Sequence, residues 1–230
     1  EILFLGVVFY AALSRLTTWG GWERMWDYRE LFWRGWLGTL ALASGSLVVS
    51  LILGLLLTMG RRGGWLPVRA FCAVHVELIR GTPLLAQILI LYYGVFELVK
   101  LENRYVAGVL ILANFAGAYI SEMIRAGIDS VGRSQLDSAR ADGFTREQTY
   151  RYVIFPQALR QTLPPLAGQF ASLIKDSSLL MIIGFEEFTN NAQQVASFTF
   201  SNLESYLPLA LGYLVLTLPI SLWTQRMEGR

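Results

Sequence analysis

Residues 132–156 read GRSQLDSARADGFTREQTYRYVIFP, a polar stretch in a chain otherwise dominated by apolar residues. Ser134 and Asp137 match the S-x-x-D capping box, in which hydroxyl and carboxylate each accept a backbone N–H of the first turn. Gly143 supplies a left-handed stop, since only glycine enters that conformation without steric cost. Thr145 and Gln148 repeat the start signal, and Pro156, which has no N–H to donate, forbids smooth continuation. The spacing predicts two short helices hinged at a glycine. A shaped polar knob of this kind needs a soluble partner to press against.

Around the knob the composition changes. Of 230 residues, 54% are hydrophobic and 16% charged, with seven tryptophans. Soluble domains carry roughly a quarter charged residues, so the chain reads as an integral membrane protein. A formal net charge of +2, with no Lys/Arg run, excludes nucleic acid as a partner. Cys72 is the single cysteine and has no intrachain partner. The sequence opens on Glu1, as expected of a piece of a longer product. No cleavage signature follows its first apolar stretch, which is read as a retained helix.

Six spans are expected. Residues 36–59 contain 24 residues without a charge, about 36 Å of helix against a hydrocarbon core of about 30 Å. Residues 105–121 and 205–225 are two further uncharged runs, and residues 2–19 make another span despite Arg15. Residues 66–99 carry Arg69, Glu77, Arg80 and the sequence Gly81-Thr82-Pro83; they are read as one helix broken near Pro83. Residues 156–185, with Pro164, Pro165, Lys175 and Asp176, complete the count. With both termini cytoplasmic, the inner segments hold eleven arginines, four of them in the knob, against five or six basic residues outside. The positive-inside rule thus puts the knob in the cytosol. Residues 17–33, TTWGGWERMWDYRELFW, are expected to form an external interfacial helix. The organisation is residues 1–34 as an N-terminal transmembrane helix with its interfacial segment, then residues 35–230 as the transmembrane domain, with a cytoplasmic loop at 130–156.

Charges inside a membrane cost about 2.5–3.5 kcal/mol each on insertion scales and are rarely accidental. Glu77, Arg80 and Gln87 share one face of the broken helix. Asn114, Ala118, Ser121 and Glu122 form a second stripe, and Gln169, Ser172 and Asp176, with Lys175 alongside, a third. Three inward polar stripes would line a route for a polar solute. The competing reading makes Glu77–Arg80 and Lys175–Asp176 structural ion pairs, with Glu122 paired to Arg125. Gly81-Thr82-Pro83 frees backbone carbonyls, either to line a cavity or simply to kink the helix. His75, the only histidine, reads as a packed polar residue. Residues 186–204, rich in Asn, Gln and Ser, read as an external loop or a surface for an external protein.

No G-x-x-x-x-G-K-[ST] occurs, and Lys100 and Lys175, the only lysines, follow no glycine loop. Metal-ligand spacings and a nucleophile–base constellation are also missing from the sequence. The chain is therefore expected not to be an enzyme, to carry no cofactor or metal of its own, and to draw energy from a partner. An ion-coupled secondary transporter or channel is the alternative, and a membrane scaffold a second rival; neither explains a structured cytosolic knob.

Four blocks, in order, carry a family resemblance: VELIRGTPLLAQILILYYG (76–94), AYISEMIRAGIDSV (118–131), QLDSARADGFTREQTYRYVIFPQALRQTLPPL (135–166) and IKDSSLLMIIGFEE (174–187). From about Gly35 to the C-terminus the chain resembles the permease subunit of a bacterial ATP-binding cassette (ABC) importer, of the polar amino acid (His/Glu/Gln/Arg/opine) type. The resemblance implies an all-α, five-helix type I permease core, here preceded by one extra N-terminal transmembrane helix. It also implies a bacterial inner (plasma) membrane location, two ABC ATPase subunits that bind ATP and Mg, a second permease subunit, and an external solute-binding protein delivering an amino acid. The family's Glu-Ala-Ala loop, which docks on the ATPase, falls on Asp137-Ser138-Ala139, with the characteristic glycine at Gly143 and the following helix entered at Pro156. Asp137 and Ser138 stand for Glu and Ala, and Asp142 stands where the family usually carries leucine.

Overall fold

Arg29–Arg62 is one uninterrupted helix of 34 residues, and the rest of the chain is arranged around it. The computed structural model describes residues 19–228. In chain order the elements are α1 (Trp19–Trp26), α2 (Arg29–Arg62), α3 (Leu66–Gly81), α4 (Leu84–Leu89) continued as a π-helix over Ile90–Phe96, and α5 (Arg104–Asp129). Then come α6 (Arg133–Ala141), α7 (Arg146–Thr149), a π-helical turn at Tyr150–Ile154, α8 (Phe155–Asp176), a 3₁₀ stretch at Ser177–Ile183, α9 (Phe188–Thr199) and α10 (Asn202–Glu228).

Among the described residues, α2, α5, the continuous segment Arg146–Ile183 and α10 are long and apolar enough to cross a membrane. The α3–α4 pair, bent by 113°, makes a fifth span if counted as one. These are five of the six spans expected; the sixth lies on residues 1–18, outside the described residues. The interfacial segment divides differently from expectation. Only Trp19–Trp26 forms a separate short helix, and the chain enters α2 as early as Arg29.

The break between α3 and α4 follows from Pro83. A residue before proline is pushed out of the helical region, and Thr82 is extended at φ −119°, ψ 146°. The freed carbonyls are not left bare. The buried Gln87 amide donates to the carbonyls of Ile79 (2.8 Å) and Thr82 (3.2 Å) and to Thr82 Oγ1 (2.9 Å). Thr82 Oγ1 in turn donates to the Leu78 carbonyl at 2.8 Å.

Packing centres on α2 against α5. In hydrocarbon there is no water to drive helices together, so close approach of small residues does the work. A Cβ added at Gly54 would lie 2.5 Å from Ile120 Cγ2, and one at Gly117 would lie 3.0 Å from Leu53 Cβ. One turn on, Thr58 Oγ1 meets the Ser121 carbonyl (3.1 Å) and hydroxyl (3.2 Å). The core joins Leu42, Ile88, Ile111, Leu112, Leu173 and Leu180 from α2, α4, α5, α8 and the 3₁₀ stretch. A second apolar cluster, Met25, Phe32, Phe188, Ala192 and Val195, fastens α1, α2 and α9.

Two expectations for residues 132–156 are corrected. The first helix starts at Arg133 with Gly132 as its cap and no side-chain cap bond. Ser134 is therefore already inside the first turn, where its hydroxyl cannot reach forward to the free N–H groups, and Asp137 turns to Arg140 instead, at 3.3 Å. The second helix is not short: the chain runs helically from Arg146 to Ile183, though not smoothly, as Pro156 leads one to expect. The backbone widens to π geometry over Tyr150–Ile154, and Phe155 N–H donates to the Tyr150 carbonyl five residues back. That wider turn admits a proline at the start of α8, where its missing N–H is no loss. The stretch at 186–204 is likewise not a loop: most of it is α9.

Candidate functional site

The knob is rigid by local chemistry. α6 ends in a paired stop: Gly143 N–H donates to the Arg140 carbonyl (3.0 Å) and Phe144 N–H to the Ala139 carbonyl (2.9 Å). This is the Schellman arrangement, with Gly143 left-handed at φ +78° and open space around its Cα. α7 begins with the expected capping box, Thr145 Oγ1 accepting from Gln148 N–H (3.2 Å) and Gln148 Oε1 from Thr145 N–H (2.8 Å). Asp137, Ser138, Gly143 and Pro156 are exposed, whereas Ala139 is buried beneath α6. Phe144 and Tyr152 meet edge to face across the turn, with ring centroids 6.4 Å apart. The knob is also tied to the membrane helix: Gln157, at the start of α8, donates to Gln135 of α6 and to the Val153 carbonyl (3.0 Å).

The polar residues read as three lining stripes have different situations. Glu122 on α5 is the hub of a cross-helix cluster: Arg61 of α2 reaches it at 2.7 Å, Arg125 binds it from one turn below, and Arg80 at the end of α3 lies 3.9 Å away. Asp129 extends the cluster to Arg62 (2.8 Å) and Arg125 (2.9 Å). The expected Glu122–Arg125 pair is thus present within a larger network. Arg80 lies over the Tyr119 ring at 5.6 Å and makes no pair with Glu77. It is drawn across to α5, leaving Glu77 exposed beside Ala73, Val74 and Leu78.

Lys175 and Asp176 form no ion pair either, because adjacent residues on a helix point about 100° apart; Lys175 is exposed and Asp176 half-buried. Ser121 is fully buried against Thr58, and Gln87 is committed to the hinge. Asn114 and Ser172 are half-buried and Gln169 is buried. His75 stacks beside Phe71 with centroids 6.3 Å apart, a packing role.

Sequence reasoning missed Glu187. It is fully buried and caps α9, accepting from the N–H groups of Thr189 (2.8 Å) and Asn190 (2.6 Å). Tyr213 of α10 donates to it at 2.9 Å and Thr39 of α2 at 3.5 Å. Burial pushes its carboxyl above the ordinary glutamate range, opposed by the hydrogen bonds from Thr189, Asn190 and Tyr213. Beside it, Asn191 donates to the Leu31 carbonyl at 2.8 Å. Three helices are joined at one carboxyl. Only the N-cap half of this was legible, as an acidic residue ahead of Phe-Thr-Asn; the partners 148 and 26 residues away were not.

Comparison with known proteins gives the arrangement its context. A family described as "Binding-protein-dependent transport system inner membrane component" matches residues 50–230. The glutamine transport system permease protein GlnP of Escherichia coli (strain K12) is 36% identical over 217 residues, covering 91% of this chain and 96% of that protein. With 91% of the chain covered, the likeness begins ahead of Gly35. The probable glutamine ABC transporter permease protein GlnM of Bacillus subtilis (strain 168) is 34% identical over 206 residues, covering 90% and 95%. A chain of the crystal structure of an amino acid ABC transporter with histidines superposes with a TM-score of 0.84 at 35% identity, over 90% of this chain and 96% of that one. An inward-facing MetNI methionine ABC transporter shares the fold, with a TM-score of 0.67 at 19% identity, over 88% and 95%.

Proposed function

The chain belongs to the family of binding-protein-dependent transport system inner membrane components, and on that premise we propose that it is the permease subunit of an ATP-driven importer of polar amino acids. The observation that carries the reading is the rigid knob, stopped by a Schellman motif, restarted by a capping box and tied through Gln135 and Gln157 to a spanning helix. Asp137, Ser138 and Gly143 present its docking surface, with the buried Ala139 supporting it from beneath, to an ABC ATPase subunit, which binds the ATP and Mg that this chain has no motif to hold. Pro156 lies where the knob joins α8. ATP-driven closure of the ATPases moves α6, and the Gln135–Gln157 tie carries the movement into α8, rocking the helices between outward and inward openings.

A second permease subunit completes the route, and an external solute-binding protein delivers the solute on the side of α9. The glutamine and amino acid names of the relatives support an amino acid as cargo. A zwitterion needs both donors and acceptors, and Glu77 and Arg80 on α3, with Asn114 and Glu122 on α5, supply them. Gln169, Ser172, Lys175 and Asp176 make the α8 side of the same route, while Ser121 and Gln87 support it from behind.

The test is stimulation of ATP hydrolysis by the complex reconstituted in proteoliposomes, across a panel of amino acids, with and without the binding protein. Stimulation by one polar amino acid, dependent on the binding protein, is the expected result. Solute flux driven by an ion gradient without any ATPase subunit overturns the reading.

A further inference from the structure

An open cavity of about 350 Å³ lies where the π-helix over Ile90–Phe96 gives way to α5. Three aromatic side chains, Tyr92, Tyr93 and Phe96, share its wall with three charged ones, Glu97, Lys100 and Glu102. The cavity sits at the N-terminal end of α5, a spanning helix of 26 residues and about 39 Å. The knob follows the other end of that helix, so cavity and knob are at opposite ends of a span. The cavity wall is also bonded to the 3₁₀ stretch that follows Lys175 and Asp176. The Tyr93 hydroxyl donates to the Ile182 carbonyl at 3.4 Å.

Lys100 is placed there at a conformational cost. The helix closes with a Schellman stop, Lys100 N–H donating to the Glu97 carbonyl (3.1 Å) and Leu101 N–H to the Phe96 carbonyl (2.9 Å). The left-handed residue of this stop is Lys100 itself, at φ +55°. Glycine holds the left-handed stops after α6 and after the 3₁₀ stretch, at Gly143 and Gly184, whereas a residue with a Cβ is strained there by about 1–2 kcal/mol. Among the described residues Lys100 forms no ion pair, although Glu97 and Glu102 line the same cavity. Strain that sets an unpaired charge in a cavity is the kind found at ligand clamps.

We propose that this cavity receives the backbone of a zwitterionic amino acid at the external mouth of the permease. Lys100 takes the α-carboxylate, Glu97 and Glu102 take the α-ammonium, and the rings of Tyr92, Tyr93 and Phe96 add their attraction for the same cation. The mixed charge selects the ligand class: a cation alone leaves Lys100 without a partner, and an anion alone faces two carboxylates. A zwitterion answers both signs, and the site reads the groups that all α-amino acids share. The inference rests on the permease reading above, which puts the end of α5 away from the knob outside the cell.

The test is protection of Leu101→Cys, on the cavity wall, from a membrane-impermeant maleimide, in the intact transporter in right-side-out vesicles with Cys72→Ser as background. Phe96→Cys serves as a second reporter should Leu101→Cys fail to fold. L-Glutamine, L-glutamate and L-arginine, added without the binding protein, should each slow the labelling. N-acetyl-L-glutamine, which lacks the ammonium, and L-glutamine methyl ester, which lacks the carboxylate, should not. Lys100→Met should raise the concentration of L-glutamine needed for protection by about tenfold or more, the loss of one charged hydrogen bond. Unchanged protection in Lys100→Met overturns the proposal. Labelling slowed by the binding protein alone, and by no amino acid, makes the cavity a protein-docking face and also overturns it, while leaving the permease reading in place. Labelling from the cytosolic side only overturns the external placement, and the orientation assumed in the permease reading falls with it.

Discussion

Arg61 on α2 donates to Glu122 on α5 across 2.7 Å, and the two side chains keep only 16% and 20% of their surface exposed. This pair fastens the C-terminal end of α2 to that of α5, the two helices whose contact dominates the fold. Because Arg125 binds the same carboxylate, the arrangement is asymmetric: losing Arg61 leaves Glu122 a partner, whereas losing Glu122 removes the acidic partner of Arg61 and leaves Arg125 with Asp129 alone. Hydrogen bonds to charged groups are worth about 1.5–3 kcal/mol each. Glu122→Leu is therefore expected to lower the thermal unfolding midpoint in detergent by more than Arg61→Leu does. Equal effects would show that the carboxylate is not the hub.

At the broken helix, Gln87 takes over the carbonyls that Pro83 frees. Gln87→Leu keeps the size but leaves the Ile79 and Thr82 carbonyls unpaired in an apolar setting, at a cost of about 1–3 kcal/mol. Uptake in proteoliposomes is expected to fall, with Gln87→Glu a poorer donor as well. Undiminished stability and uptake in Gln87→Leu would mean that the 113° bend is held by packing alone.

Glu187 predicts a pH dependence whose sign can be worked out. Its carboxyl is raised in the folded protein above the ordinary value of 4.5 by burial, so the fold favours the protonated form. The associated stability is present below pH 4.5 and is lost as pH rises through the raised value. Glu187→Gln removes that titration. Between pH 4.5 and 7.5, the unfolding midpoint of the unaltered protein should therefore fall relative to that of Glu187→Gln. A constant difference between them across this range contradicts the assignment.

Local signals were legible in the sequence, and distant ones were not. Pro83, Gly143 and the Thr145–Gln148 box each act within a few residues, and each did what its chemistry dictates. Ser134 failed as a cap because Gly132 starts the helix two residues earlier, a choice its own turn does not reveal. Pro156 did interrupt the smooth helix, but nothing in YRYVI announces that the interruption takes π geometry. Three of the spans were clear as uncharged runs, at residues 36–59, 105–121 and 205–225. The Glu122 cluster was half visible, through Arg125 one turn away, but Arg61 lies 61 residues off and is found only once α2 and α5 are packed. Glu187 was hidden for the same reason: its partners, Thr39 on α2 and Tyr213 on α10, carry no pattern that points to it.

The central claim is that the cytosolic knob couples this permease to its ATPase, and Gly143→Trp tests it most directly. The position is left-handed, which costs an L-residue about 1–2 kcal/mol, and its open surroundings mean that the new side chain projects onto the docking face rather than into the protein. In proteoliposomes with the partner ATPase, Gly143→Trp is expected to abolish amino acid uptake and substrate-stimulated ATP hydrolysis while the membrane domain keeps its unfolding midpoint within a few degrees. Uptake and stimulated hydrolysis at unaltered rates would contradict coupling through this knob.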